Sequence, residues 1–402
     1  MSTFVATGDA AAVRAAREAA LRWGAPRRTE ALGEADALGD ALGVAGLGVT
    51  AAATSAADGR VIAAWVDAPP TSDAHAARVV EGFARSAEDA LLELRGPFAL
   101  VVATARVLVA ARSASGAPAL ALAPRLDRGA GSTGPCLVGA LGAALALGAP
   151  RRLDLDLVRR VVVGDAVLAP WAGLEPLAPG EARIMYRGEG RSRRFKLPAA
   201  DARARPPAEL LLVDDQLPRP GAWAAAIDAL VDVLAAPLGS AAALLSALAL
   251  APPRSGDDRV AVPSAWRATP KTPALLGPSL TPGAASPPRA RVLGCEPAAL
   301  SAWAARRGHA LAIVERPGAF AHAVDDCVAR HAPTIVAWAE EVLRAGALAR
   351  RGFVAADALG PLAAEAQRRG PRARAERAAA LDALVRLATL DRVVARLGEA
   401  DA

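Results

Sequence analysis

The period of apolar and polar positions changes several times along the chain, and each change predicts an element. Residues 10–23 space their apolar positions for an amphipathic helix. Residues 46–52 and 61–66 read as short strands around a turn at Ala57-Asp58-Gly59. Residues 74–92 return to helical spacing, with Ala76, Val79, Val80, Phe83, Ala87, Ala90 and Leu91 on one broad face. Residues 94–102 and 106–112 then predict a β-hairpin, and residues 117–120 a third strand.

The stretch 137–198 is the most informative. Residues 140–147 form an apolar run of helical character. A helix start follows at Leu153-Asp154-Leu155-Asp156, where acidic side chains suit the positive end of a helix. Trp171, Gly173 and Leu174 precede Leu177-Ala178-Pro179-Gly180, and Pro followed by Gly sets a tight turn. Residues 182–186 have strand composition, and Arg194-Phe195 leads to Pro198.

Residues 199–221 are polar and rich in Pro, as a linker is. Residues 223–234 predict a helix with Asp228 and Asp232 on one outer face. The prolines of residues 252–290 recur too often for a regular helix or ladder, which predicts a long irregular insertion. A strand at 291–294, a helix at 297–307 with Glu296 at its start, and a strand at 309–315 make a βαβ-like run. Four further helices are predicted over 319–330, 335–348, 356–369 and 376–397.

Composition narrows the class. A chain of 402 residues, 53% hydrophobic, can bury two cores. The net charge of +6 rests on arginine, since Lys196 and Lys271 are the only lysines. With 3% aromatic residues there are few platforms on which bases could stack, which argues against a nucleic-acid partner. Two uncharged runs, 129–150 and 233–252, are dominated by Ala and interrupted by Gly, Pro and Ser, so they read as buried core and not as membrane spans. Cys136, Cys295 and Cys327 form neither a metal motif nor an even-numbered framework. Together with an N-terminus lacking a secretory pattern, this predicts a reducing cytoplasm.

Two ordered series of residues carry a family resemblance. The first is Gly96, Phe98 and Ala99, then Arg112, Gly116 and Leu120. The second is Trp171, Gly173 and Leu174, then Leu177, Pro179 and Gly180 with the strand after them and Phe195-Pro198 at the exit. In this order they resemble the glutaminase-like domain of the asparagine synthetase family, which includes the β-lactam synthetases and the macrolactam synthetases of lasso peptides. Ser113 stands where that family usually has Asp, Pro118 lies one place early, Ala119 takes its position, Ala178 replaces a proline and Phe195 replaces a common Tyr. Weaker likenesses follow at 296–309, 320–333, Leu348 with Gly352-Phe353, and 381–397.

The resemblance implies an α+β chain. Residues 1–198 would be an Ntn-hydrolase-like domain of stacked antiparallel sheets, residues 199–221 a linker, and residues 222–402 a shortened, helix-rich α/β synthetase-like domain with the insertion at 252–290. It also implies two activities. The family's glutaminase uses an N-terminal cysteine, and Ser2 stands in that place here. The β-lactam and lasso synthetases likewise dispense with that cysteine, because they use an internal amine. The family's synthetase domain binds ATP through a Ser-Gly-Gly-x-Asp-Ser loop whose backbone N–H groups cradle pyrophosphate. The corresponding stretch is Pro237-Leu238-Gly239-Ser240-Ala241, which keeps Gly239 and Ser240 but lacks the paired glycines and the aspartate that helps to hold Mg²⁺. Ser255-Gly256-Asp257-Asp258 has suitable residue types but reads as a turn within the insertion.

His322, Asp325, Asp326, Cys327 and His331 lie on or just past one helical segment. The pairs His322/Asp326 and Cys327/His331 each share a face but point in different directions, so no metal site is expected. Arg372, Arg374 and Arg377 read as a solvated face. Two functions follow from the resemblance. One is an ATP-dependent, AMP-forming carbon–nitrogen ligase using ATP and Mg²⁺ on a peptide or small carboxylate. The other is a non-catalytic paralogue that binds a peptide or a partner enzyme.

Overall fold

The computed structural model describes residues 4–7, 43–46, 49–56, 59–66, 81–83, 85–93, 99–103, 107–112, 120–123, 136–138, 141, 145, 151–164, 169–178, 180–186, 192–197, 209–210, 217–251, 259–263, 275–280, 310–314, 318–344, 346–368, 370 and 374–398. It is an α+β chain of two compact units. The first comprises residues 1–149, 173–207 and 297–313, and the second residues 150–172, 208–296 and 314–402.

The first unit holds two antiparallel sheets. Strands β1 (Phe4–Thr7), β2 (Gly43–Gly46), β7 (Ala121–Ala123), β8 (Cys136–Val138) and β9 (Glu175–Pro176) form the first, in the order β2-β1-β8-β7-β9. Strands β3 (Val49–Ala56), β4 (Gly59–Val66), β5 (Ala99–Ala103), β6 (Val107–Arg112), β10 (Glu181–Tyr186) and β11 (Ser192–Lys196) form the second, in the order β11-β10-β6-β5-β4-β3. Leu100, Val101 and Val102 are fully buried in succession on β5, as are Val109, Ala110 and Ala111 on β6. Successive side chains point to opposite faces, so both faces of these central strands are covered. That explains why their sequences read as continuous apolar runs. The predicted hairpin of β5 and β6 is present, pairing Ala99 with Arg112 through Ala103 with Leu108. The third strand differs from expectation. It begins at Ala121, just past the predicted residues, and belongs to the other sheet, where it pairs with β8 and β9. Helix α1 (Ala87–Glu93) is the described end of the predicted helix over 74–92.

Of the predicted turn, Ala178 and Gly180 are described and Pro179 lies outside the described residues. Gly180 adopts φ 72°, a left-handed conformation that glycine tolerates best, and the Glu181 amide donates to the Ala178 carbonyl at 3.0 Å. Two guanidinium groups join the sheets. Arg112 of β6, 1% exposed, donates from Nη1 to the Leu177 carbonyl at 2.7 Å. Arg183 of β10 grips Glu175 of β9 with two bonds of 2.5 and 2.6 Å.

The second unit is helical, with helices α2 (Leu155–Val163), α3 (Trp223–Leu234), α4 (Ala241–Ala249), α5 (Gly318–Arg344), α6 (Ala347–Arg350), α7 (Ala356–Gln367) and α8 (Arg374–Leu397). Asp154 caps α2, its carboxylate accepting from the Asp156 and Leu157 amides. Helix α8 packs against α2, α3, α4, α5, α6 and α7. Almost every residue from Ala380 to Val394 is therefore buried, whichever way it points around the axis.

Three expectations are corrected in this unit. The helices predicted over 319–330 and 335–348 are one helix of 27 residues, α5, followed by the separate short helix α6. Proline removes one hydrogen bond and clashes with the carbonyl four residues back, which argues for a break at Pro333. Here Pro333 is exposed, and Ala332, Ile335, Val336, Ala339 and Leu343 around it are buried. Packing of that face outweighs the local cost. The insertion at 252–290 is not wholly irregular. It contains strand β13 (Arg259–Pro263), and Leu275 and Leu280 are buried, with Leu276 bridged to Val354. The strand Arg259–Pro263 holds no proline before its last position, so β-branched Val260 and Val262 set the local conformation. The linker at 199–221 also contains a strand, β12 (Glu209–Leu210), parallel to β13.

Of the predicted run over 291–315, strand β14 (Ala310–Val314) is described. The predicted helix at 10–23, Ser2, the segment at 255–258, the strand at 291–294, the helix at 297–307, Arg372 and most of 140–147 lie outside the described residues. No helix among the described residues is long and apolar enough to cross a membrane.

Candidate functional site

Gly239 and Ser240 sit in a connection between two helices. Residues 217–251 are described without a gap, and no strand stands between α3 and α4. Helix α3 ends at Ala235, which takes a left-handed φ of 47° and donates its amide to the Val231 carbonyl at 2.8 Å. The buried Trp171 indole donates from Nε1 to the Ala235 carbonyl at 2.5 Å, which satisfies an end-of-helix acceptor. The chain then runs through buried residues 236–239 to Ser240, the N-cap of α4. Ser240 has an extended backbone, and its Oγ accepts the Ala243 amide at 3.1 Å.

The first-turn amides of α4 are those a phosphate would need, and two of them are engaged within the protein. Ala243 is capped by Ser240. The Ala241 amide donates to the Asp382 carboxylate, Oδ1, at 2.9 Å. Just before the cap, the Leu238 amide donates to Thr389 Oγ1 at 3.0 Å. Thr389 Oγ1 in turn donates to the Val385 carbonyl at 2.8 Å. Asp382 and Thr389 are seven residues apart on α8, two turns along one face, and that face reads residues 238–241 as a unit. An anion belonging to the chain therefore stands at the positive end of α4.

A second carboxylate of α8 does the same for α6. Asp391 Oδ1 accepts the Leu348 amide at 2.7 Å in a site where Asp391 is 3% exposed. Burial pushes its carboxyl above the ordinary range, against the amides of Leu348 and Ala347 and the charges of Arg350 and Arg392, which draw it down. Gly346, the N-cap of α6, comes so close that an added Cβ would lie 2.3 Å from Asp391 Oδ1.

Asp228 and Asp232 do line one face of α3, and their partners lie on α8. Arg392 binds Asp228 with bonds of 2.7 and 2.5 Å, and Arg396 binds Asp232 with bonds of 2.9 and 2.7 Å. The hydrogen bond to Asp232 raises the Arg396 pKa. In the first unit the bond to Glu175 raises that of Arg183 in the same way, against the opposing effect of burial.

Cys327 is fully buried in α5, and Asp325 pairs with Arg374 at 3.2 Å. Among the described residues no group of three or more His, Cys, Asp and Glu side chains is placed to hold a metal ion. Asp382, Thr389 and Asp391 are the amide-binding polar residues that sequence reasoning passed over. Each of the three stands next to an apolar neighbour in the buried part of the closing helix, Ala380 to Val394.

No protein-family model matches the chain, and no curated protein matches it at a significant level.

Proposed function

We propose that the chain is a divergent asparagine-synthetase-like protein, related to ligases that form amides and lactams with ATP, which has given up catalysis and binds a peptide or a partner enzyme. The observation that carries this reading is the Asp382 carboxylate on the Ala241 amide. A phosphate seated at the same helix start would meet a resident negative charge, in a connection without the aspartate that would bring Mg²⁺.

The two antiparallel sheets of the first unit support an Ntn-hydrolase-like layering. The parallel pair β12 and β13 among the helices of the second supports a shortened synthetase-like domain. The cysteine pattern supports a cytoplasmic setting.

A second reading keeps the ligase: Ser240 still makes the tight turn and cap that an anion loop requires. Pyrophosphate release from ATP with Mg²⁺, assayed over a panel of peptides and small carboxylates, separates the two. The non-catalytic reading expects none. Release above background that is lost on Ser240→Ala, in a variant that still folds, would establish the ligase.

A further inference from the structure

The first unit's sheets end in four strands: β2 and β9 on one sheet, β3 and β11 on the other. Unpaired edges invite association, and proteins blunt them by keeping them short or charged. β2 has four residues and β9 two. β11, Ser192-Arg193-Arg194-Phe195-Lys196, carries three basic residues. β3 has neither protection. It runs for eight residues, Val-Thr-Ala-Ala-Ala-Thr-Ser-Ala, with no charge and no proline. All eight pair with β4 on one side, and no described strand pairs on the other.

We infer that β3 is a homodimerisation edge, pairing antiparallel with β3 of a second copy of this chain about a two-fold axis at Ala52. In an antiparallel ladder hydrogen-bonded and non-hydrogen-bonded pairs alternate. A two-fold axis through such a ladder must pass midway between two facing residues, so self-pairing centres on a residue and faces it with its own copy. About Ala52 the sequence Thr50-Ala51-Ala52-Ala53-Thr54 reads the same in both directions. The register then faces Thr50 with Thr54 and Ala51 with Ala53, and Thr–Thr is a favoured cross-strand pair. Two six-stranded sheets become one of twelve. Growth stops there, because each remaining end is β11, five residues long and charged at Arg193, Arg194 and Lys196, the kind of edge that resists further pairing.

Light scattering on the eluting full chain, over a wide range of concentrations, reads the assembly. A dimer is expected for the natural sequence. Ala52→Lys sets two like charges face to face at the axis and should raise the dimer dissociation constant about tenfold or more. Circular dichroism confirms that this variant is folded. Should it fail to fold, disulfide trapping decides. Directly facing residues lie about 4.5–5.5 Å apart between Cα atoms, within the span a disulfide bridges. Ala52→Cys should therefore cross-link to its own copy. Ala53→Cys, which faces residue 51, lies about 7–8 Å from its copy and should not. A chain monomeric at every concentration, a dimer indifferent to a folded Ala52→Lys, or equal cross-linking at both positions would overturn the assignment.

Discussion

The Asp382 carboxylate of the closing helix accepts the Ala241 amide at 2.9 Å, at the start of a helix 141 residues earlier in the chain. That bond satisfies a first-turn amide of α4 from within the chain. Asp382→Ala is expected to destabilise the protein by about 1–2 kcal/mol through loss of a charged cap. Asp382→Asn keeps an acceptor and should lose less. Urea unfolding of the two variants measures the difference, and equal loss would show that the Asp382 side-chain oxygen does not act as an acceptor.

Thr389 provides the neighbouring contact. Thr389→Val keeps the volume but leaves the buried Leu238 amide without its acceptor, for an expected loss of about 1–3 kcal/mol. Thr389→Ser restores the hydroxyl and should recover most of it. Thermal unfolding of the pair is the check.

Asp391 makes stability depend on pH. A carboxyl whose folded pKa is raised binds protons more readily in the folded state than in the unfolded one. Its contribution is therefore most favourable at low pH, and it falls as pH rises from the ordinary carboxylate value through the raised one. Asp391→Asn mimics the neutral form and keeps an acceptor for Leu348. Its stability relative to the natural protein should climb across that window in urea midpoints taken at a series of pH values. A constant difference would contradict the assignment. At the same place, Gly346→Ala should cost about 1–3 kcal/mol, because the added methyl meets the Asp391 carboxylate.

In the first unit, Glu175→Gln removes the charge that both the buried Arg183 and the exposed Arg194 bind. Arg183 is buried and Glu175 half-exposed, so the expected loss lies between surface and buried values, at about 1–2 kcal/mol. Salt titration of unfolding midpoints should remove the share owed to the exposed Arg194 and leave the share owed to the shielded Arg183.

Much of this architecture was legible in the sequence. Helix α3 has the predicted bounds, Asp154 and Asp156 mark the start of α2, and Gly180 takes a left-handed conformation just before β10. These features rest on local chemistry: periodicity, caps and a glycine with positive φ. The features that were not legible depend on distant partners. Pro333 does not end α5, because the buried face around it holds the helix together. Val260 and Ala261 lie in a strand inside a proline-rich stretch, where β12 pairs beside them and adds to the local preference of the β-branched residues. Ser240 as the cap of α4 rests on local chemistry, but the partner of the next amide, Asp382, lies 141 residues along the chain.

Titration calorimetry of ATP with Mg²⁺ against the full chain tests the central claim most directly. A resident carboxylate at the start of α4 predicts no detectable heat at millimolar ATP. Micromolar binding that disappears when Gly239 and Ser240 are changed would contradict it, and would return the chain to the ligases.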